Sequence, residues 1–333
     1  MILYIIKLGL YDRGSMALKQ KTYAAIDLGT NNCRLSVAIN DKDGCGEYKI
    51  IERYSSQIKL GEGLDASGYL SEQAINRAIE ALLVCKQRFE KYHIYKARYV
   101  ATEACRIAKN SAYFLNRVYK ETSIKLEIVS KEEEAKLAVL ACRDMIIKSE
   151  QPILLFDIGG GSSQLCFIKY PYQATIDYIM GLEIGVVNMV ERFNHIKNSF
   201  ERFNLIKSYV VNQIKDIMIN QATRDFLYNI SYDMIGTSGT ATTLGALYLN
   251  LDYYDRKKTD GLWMKQSEVK KIIDTIISYD SSIIAKNPCI GQERADLVLA
   301  GCGILSAIMD LWPGQKLRAA DRGLREGIIL QLI

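Results

Sequence analysis

Histidine is almost missing from this 333-residue sequence; only His93 and His195 occur, which excludes histidine-rich metal sites and most catalytic triads built on imidazole. Proline is also scarce, at 4 residues, and no low-complexity segment or long linker occurs. The 8 cysteines (Cys33, Cys45, Cys85, Cys105, Cys142, Cys166, Cys289 and Cys302) never form CxxC and never cluster. That pattern argues against a zinc site or a disulfide framework and for a reducing cytoplasm. Long apolar runs are missing too. The stretch Ile2 to Ile6 and Leu8 to Leu10 is broken by Lys7 and falls far short of the roughly 20 residues that span a membrane. It also lacks the preceding basic region and the following small-residue site of a signal peptide. Nor does one sign of charge dominate. A total of 43 Lys+Arg against 38 Asp+Glu leaves +5, enough to draw in a polyanion but not the mark of a dedicated nucleic-acid binder.

What remains is 49% hydrophobic and 24% charged with 23 glycines, a folded protein whose length suits two domains. Met16 stands just before the first convincing strand, and residues 1–21 are read as a leader of unknown role. The strongest internal signal is an echo. YAAIDLGTNNCRLSVA (residues 23–38) and ILLFDIGGGSSQLCFI (residues 153–168) each read as an apolar strand, an Asp, a turn of small residues and a second strand. An offset of 130 residues superposes Asp27 on Asp157, Gly29 on Gly159 and Leu35 on Leu165. Two such hairpins predict two similar α/β domains, residues 22–148 and 149–333, facing each other across a cleft. The last helix is placed so that it can pack back on the first domain, and any domain motion is expected from a hinge near 146–152.

Between the copies, Ile75, Ile79, Leu82 and Leu83 share one face of a predicted helix over about 71–91. A strand over Arg98 to Ala101 leads into Thr102-Glu103-Ala104-Cys105-Arg106, with a helix from about Ser111. Lys125 to Val129 reads as a strand, and Ser130-Lys131-Glu132-Glu133 has capping-box spacing for a helix running to about Lys148. In the second half, Gly236-Thr237-Ser238-Gly239-Thr240 is a further small-residue turn followed by helical periodicity. Helices over about 294–311 and 322–333 flank a short strand at Lys316 to Ala319.

Three turns could therefore cradle phosphate on backbone N–H groups: Gly29-Thr30-Asn31-Asn32, Gly159-Gly160-Gly161-Ser162-Ser163 and Gly236 to Thr240. None fits the Walker A or the dinucleotide-binding pattern. Asp27 and Asp157 suit either a divalent cation held through water or an Asx-turn. In the acidic run, Glu133 fits the capping box and Glu132 the helix dipole, which leaves Glu134 without a structural duty and free to orient or deprotonate water. Arg34 and Arg106, each just past a turn, could pair bidentately with phosphate or lie solvated at the surface.

The runs AAIDLGTNNCRL, ATEACRIAKN, FDIGGGSSQL, GTSGTATTLGAL, RADLVLAGCGIL and DRGLREG resemble, in order and spacing, the exopolyphosphatase and guanosine pentaphosphate phosphohydrolase family. The resemblance covers about residues 22–333. It implies two ribonuclease-H-like domains of the actin, Hsp70 and sugar-kinase superfamily around an interdomain phosphate-binding cleft. It also implies Mg²⁺-dependent attack by water on a terminal phosphoanhydride of polyphosphate or of the stringent-response nucleotide guanosine pentaphosphate. By the same resemblance Glu134 is catalytic. Gly29, Thr30, Asn31, Arg34, Arg106, Gly159, Gly160, Gly161, Ser162, Gly239 and Thr240 would bind phosphate, and Asp27, Asp157 and Gln164 would place the metal. Members of the family are often dimers, so a homodimer is admitted.

Gln164 is a departure, since the family's second loop usually carries Glu there. An amide keeps the size and one acceptor but loses the charge and cannot act as a base. A weakly active binding or sensor protein is thus the alternative to an active hydrolase. A kinase of the same superfamily fits less well, because RADLVLAG and DRGLREG follow the phosphohydrolase branch, and an actin-like filament has only chain length in its favour.

Overall fold

The structure is a computed structural model that describes residues 20–40, 48–219 and 230–333. The leader read into residues 1–21 lies outside the described residues except for Gln20 and Lys21.

The first sheet holds β1 (Thr22–Leu28), β2 (Asn32–Asn40), β3 (Tyr48–Gln57), β4 (Ile94–Ala101) and β5 (Glu127–Ile128) in the order β3-β2-β1-β4-β5. The second holds β6 (Ile153–Ile158), β7 (Ser163–Ile168), β8 (Tyr178–Leu182), β9 (Asp233–Thr237), β10 (Trp263–Lys265) and β11 (Lys316–Ala320) in the order β10-β11-β9-β6-β7-β8. Without β10 the second order repeats the first. In both, the initial three strands form an antiparallel meander, and the first strand then pairs in parallel with the fourth. This is the ribonuclease-H-like arrangement, present twice. The echo in the sequence is kept in register, with Asp27 opposite Arg34 and Asp157 opposite Gln164.

Strand alternation divides the core. Ala24, Ile26 and Leu28 point into a cluster with the helix Glu72–Phe89, whereas Tyr23 and Ala25 point the other way, towards the helix Leu324–Leu332. Likewise Leu154, Phe156 and Ile158 face one core and Ile153 and Leu155 another. The odd-numbered faces meet two helices that tie the sheets together. Lys131–Ala141 sets Ala135, Ala138 and Val139 on the second sheet and Leu137 towards the first, and Leu324–Leu332 packs against it and against β1. Asp27 and Asp157 share those odd-numbered faces, so both aspartates look into the space between the sheets.

Some elements differ from expectation. The strand expected over Lys125 to Val129 is only Glu127–Ile128, because β4 offers it pairing at Val100 and Ala101 alone. The helix expected to reach Lys148 ends at Ala141, where the Cys142 N–H donates to the carbonyls of Ala138 and Val139 and the chain leaves helical geometry before a one-turn helix, Arg143–Ile146. Only half of the capping box forms. The Ser130 hydroxyl accepts the Glu133 N–H at 3.1 Å, while the Glu133 carboxylate turns to Arg98, 2.5 Å away. The turn read into Gly236 to Thr240 has no loop of its own: β9 ends at Thr237 and the helix Ser238–Tyr248 follows at once, with Ser238 at φ 66°. Among the described residues no helix is long and apolar enough to cross a membrane.

Candidate active site

The two Asp-Gly turns are built alike. The Gly29 N–H donates to the Asn32 carbonyl at 2.9 Å, and the Gly159 N–H to the Ser162 carbonyl at 2.9 Å. Chain that follows the third strand of each meander takes up the turn carbonyls: Gly61 donates to Thr30 and Ile58 to Asn31 in the first half, Val186 to Gly159 and Val187 to Gly160 in the second. The N–H groups of Thr30, Asn31, Gly160 and Gly161 find no protein acceptor among the described residues. The turns abut. A Cβ built on Gly160 would lie 3.1 Å from the Thr30 Cβ and 3.3 Å from the Asn31 nitrogen, and one on Gly161 would lie 2.8 Å from the Thr30 hydroxyl. Glycine here allows backbone to meet backbone, which a phosphate cradle requires.

Carboxylates converge on this junction. Glu134, in the first turn of Lys131–Ala141, is 5% exposed, and Asp27 and Asp157 are nearly as buried. Burial pushes the Glu134 carboxyl up to about 8, against the pull of Arg106, and the charges of Asp157 and Asp27 push in the same direction. Burial raises Asp27 and Asp157 as well; Arg34, 3.7 Å from Asp27, and the Thr237 and Ser238 hydroxyls beside Asp157 draw them back. The Gln164 amide donates to the Ser162 hydroxyl at 3.1 Å and reaches the Glu134 carboxylate at 3.5 Å.

Of the two arginines singled out in the sequence, Arg34 lies beside Asp27, whereas Arg106 gives four of its five N–H groups to protein acceptors. Its Nη2 meets Glu134 Oε2 at 2.7 Å, its Nε meets Glu103 Oε2 at 2.9 Å, Nη2 also binds that oxygen, and Nη1 binds the Val129 carbonyl. Gly239 and Thr240 stand in the first turn of Ser238–Tyr248, whose amide end adjoins Asp157 through a bond from the Ser238 hydroxyl to the Ile158 carbonyl. Two further residues of the motif runs, Glu103 and Arg294, reach the same region. Glu103 is buried against Arg106. Arg294 binds Thr243 Oγ1 at 2.7 Å, has no carboxylate partner among the described residues, and is drawn below the usual guanidinium range by burial and by the neighbouring charge of Arg34. Arg34 and Arg294 are thus two half-buried cations that repel each other at the edge of the turns.

The model of the Ppx/GppA phosphatase family matches residues 38–333. The chain belongs to the Ppx/GppA phosphatase family. It is 29% identical over 320 residues to a bifunctional 3-dehydroquinate synthase/phosphatase of Fusobacterium nucleatum, a match that covers 92% of this chain but 46% of that protein. It thus spans about half the length of that relative. A putative exopolyphosphatase of Haemophilus influenzae is 27% identical, with 93% of this chain and 90% of that protein covered. The crystal structure of the Aquifex aeolicus Ppx/GppA family member superposes with a TM-score of 0.77 at 29% identity, over 94% of this chain and 97% of that one.

The residues that the family resemblance assigns to Mg²⁺ carry donor atoms that fit such an ion. Asp27 and Asp157 offer hard carboxylate oxygens raised in pKa by burial, which a cation would relieve, and Gln164 keeps its carbonyl oxygen because its nitrogen is turned to Ser162. Among the described residues no three His, Cys, Asp or Glu side chains converge into a closed metal cage.

Proposed function

We propose that this Ppx/GppA phosphatase releases terminal orthophosphate from inorganic polyphosphate, from guanosine pentaphosphate, or from both. The observation that carries the reading is the meeting of two turns with unpaired N–H groups beside the buried carboxylate of Glu134. The Thr30, Asn31, Gly160 and Gly161 amides, the first turn at Gly239 and Thr240, and the guanidinium groups of Arg34 and Arg294 take up the phosphate oxygens. Glu134 Oε orients a water towards the terminal phosphorus and accepts its proton as the new P–O bond forms; the bridging P–O bond breaks and its electrons leave with the shortened chain. Mg²⁺ held by Asp27, Asp157 and Gln164 would neutralise charge on the phosphate oxygens. Fixed amides and cations are spent on positioning and charge neutralisation, the terms that dominate phosphoryl transfer. The names borne by the Haemophilus and Fusobacterium relatives support phosphate-ester or anhydride hydrolysis, and the scattered cysteines, buried and free among the described residues, suit a reducing cytoplasm.

One observation favours a second reading. Gln164 presents an amide to Glu134 in place of the family's carboxylate, which weakens the hold on a cation. The chain would then bind polyphosphate or guanosine pentaphosphate and hydrolyse it poorly. Orthophosphate release from both compounds, with and without Mg²⁺, separates the readings. Release that needs Mg²⁺ and vanishes in Glu134→Ala supports the hydrolase; release recovered only in Gln164→Glu supports the binding protein, and no release from any variant overturns the hydrolase.

A further inference from the structure

We infer that Glu103 is a positioning residue: it fixes the Arg106 guanidinium in the orientation from which Nη2 holds the Glu134 carboxylate. The inference rests on the reading of Glu134 as the residue that activates water. Glu103 opens the short helix Glu103–Ile107 that follows β4 and is 2% exposed. Its Oε2 takes two N–H groups of Arg106, from Nε at 2.9 Å and from Nη2, while the Val129 carbonyl takes Nη1. The remaining direction of Nη2 meets Glu134 at 2.7 Å. A guanidinium is a rigid planar fork, so bonds on two of its edges set the third.

Glu103 is itself restrained. Its Oε1 makes no hydrogen bond among the described residues but lies 3.6 Å from the Lys131 ammonium, whose stem packs over Gly181 and whose charge meets Glu183 at 2.9 Å. Lys131 and Glu134 stand in the same first helical turn. Glu103 thus grips Arg106 from one side and that turn from the other. A pair of Glu134 and Arg106 alone would retain the rotamer freedom of two long side chains; the second carboxylate removes it.

A double-mutant cycle with a spectroscopic arm tests this. Glu103→Gln, which keeps the shape and an acceptor oxygen but loses the charge that strengthens both bonds to Arg106, is expected to lower kcat for phosphate release about tenfold, as loss of an orienting partner behind a functional ligand commonly does. In an Arg106→Gln background the same change should lower it less than about twofold. Equal losses in both backgrounds, or no loss in the natural background, overturn the inference, since a merely structural Glu103 would not depend on Arg106. The spectroscopic arm uses nitrogen-15 spectra of the side-chain Nε–H of Arg106, identified by its disappearance in Arg106→Gln. Hydrogen exchange of that group is expected to quicken about tenfold in Glu103→Gln, and unchanged exchange overturns the positioning role. If the natural chain releases no phosphate, the reading of Glu134 fails, while the exchange arm still decides what holds Arg106.

Discussion

At the scale of single residues, the site is an arrangement of buried charges whose costs can be measured. Glu134 titrates near 8 in the folded chain against 4.5 as its ordinary value, and burial is the largest cause. A carboxyl raised by folding contributes stability that is fully present below its unfolded pKa and is lost as pH rises through the folded one. Glu134→Gln, neutral at every pH, should therefore raise the melting temperature by a few degrees at pH 9 in the presence of a chelator and by little at pH 5. Calorimetry at the two pH values checks this; an equal shift at both would mean that Glu134 is not the group that pays for ionisation. Gly185 gives a second residue-scale test. A Cβ there would overlap the backbone of Gly160 and Gly161. Gly185→Ala should displace the second turn and lower phosphate release about 100-fold, the cost of moving a reacting group by roughly 1 Å.

Among the elements, the pair of helices between the sheets decides most. Lys131–Ala141 carries Glu134, and Leu324–Leu332 lies across it with Gly327 against the Leu137 backbone. A methyl group at 327 would overlap the Leu137 carbonyl, so Gly327→Ala is expected to destabilise the protein by about 3 kcal/mol, the upper end of overpacking costs. Denaturant titration reads that loss. Ser130→Ala removes the N-cap bond to Glu133 and should cost about 1 kcal/mol, without the second loss that a complete capping box would add. Much of this element level is legible in the sequence. The Asp-Gly turns, the helix start at Ser130 and the helix near Ser111 follow from turn chemistry and caps, which act within a few residues. The end of the helix at Ala141 and the shortness of β5 are not legible, because they depend on what β4 and the second sheet offer as partners.

Across the whole molecule, the facing halves are joined near the turns by modest polar contacts. Asp65 meets Arg192 at 3.1 Å, and the Gly63 N–H donates to Glu191 at 2.9 Å. Half-exposed ion pairs of this kind contribute about 0–1 kcal/mol each, so they hold the rim between the halves weakly beside the helices packed between the sheets. Arg192→Glu should open it, giving a larger radius of gyration in small-angle scattering that shrinks again when tripolyphosphate is added. An unchanged radius would mean that the packed helices, and not these pairs, hold the halves together.

The sequence by itself determined the doubled hairpin, its Asp-Gly turns and the family, since strand alternation, glycine backbone freedom and a 130-residue echo are local or repeated signals. Of the site, it marked Asp27, Asp157, Glu134 and the turn glycines. Only the tertiary structure decided how they meet. It set Arg106 between Glu103 and Glu134, gave Arg34 the company of Arg294, and turned Glu133 from its cap to Arg98. Those pairings join residues far apart in the chain, and their strength comes from burial, which no single stretch of sequence specifies.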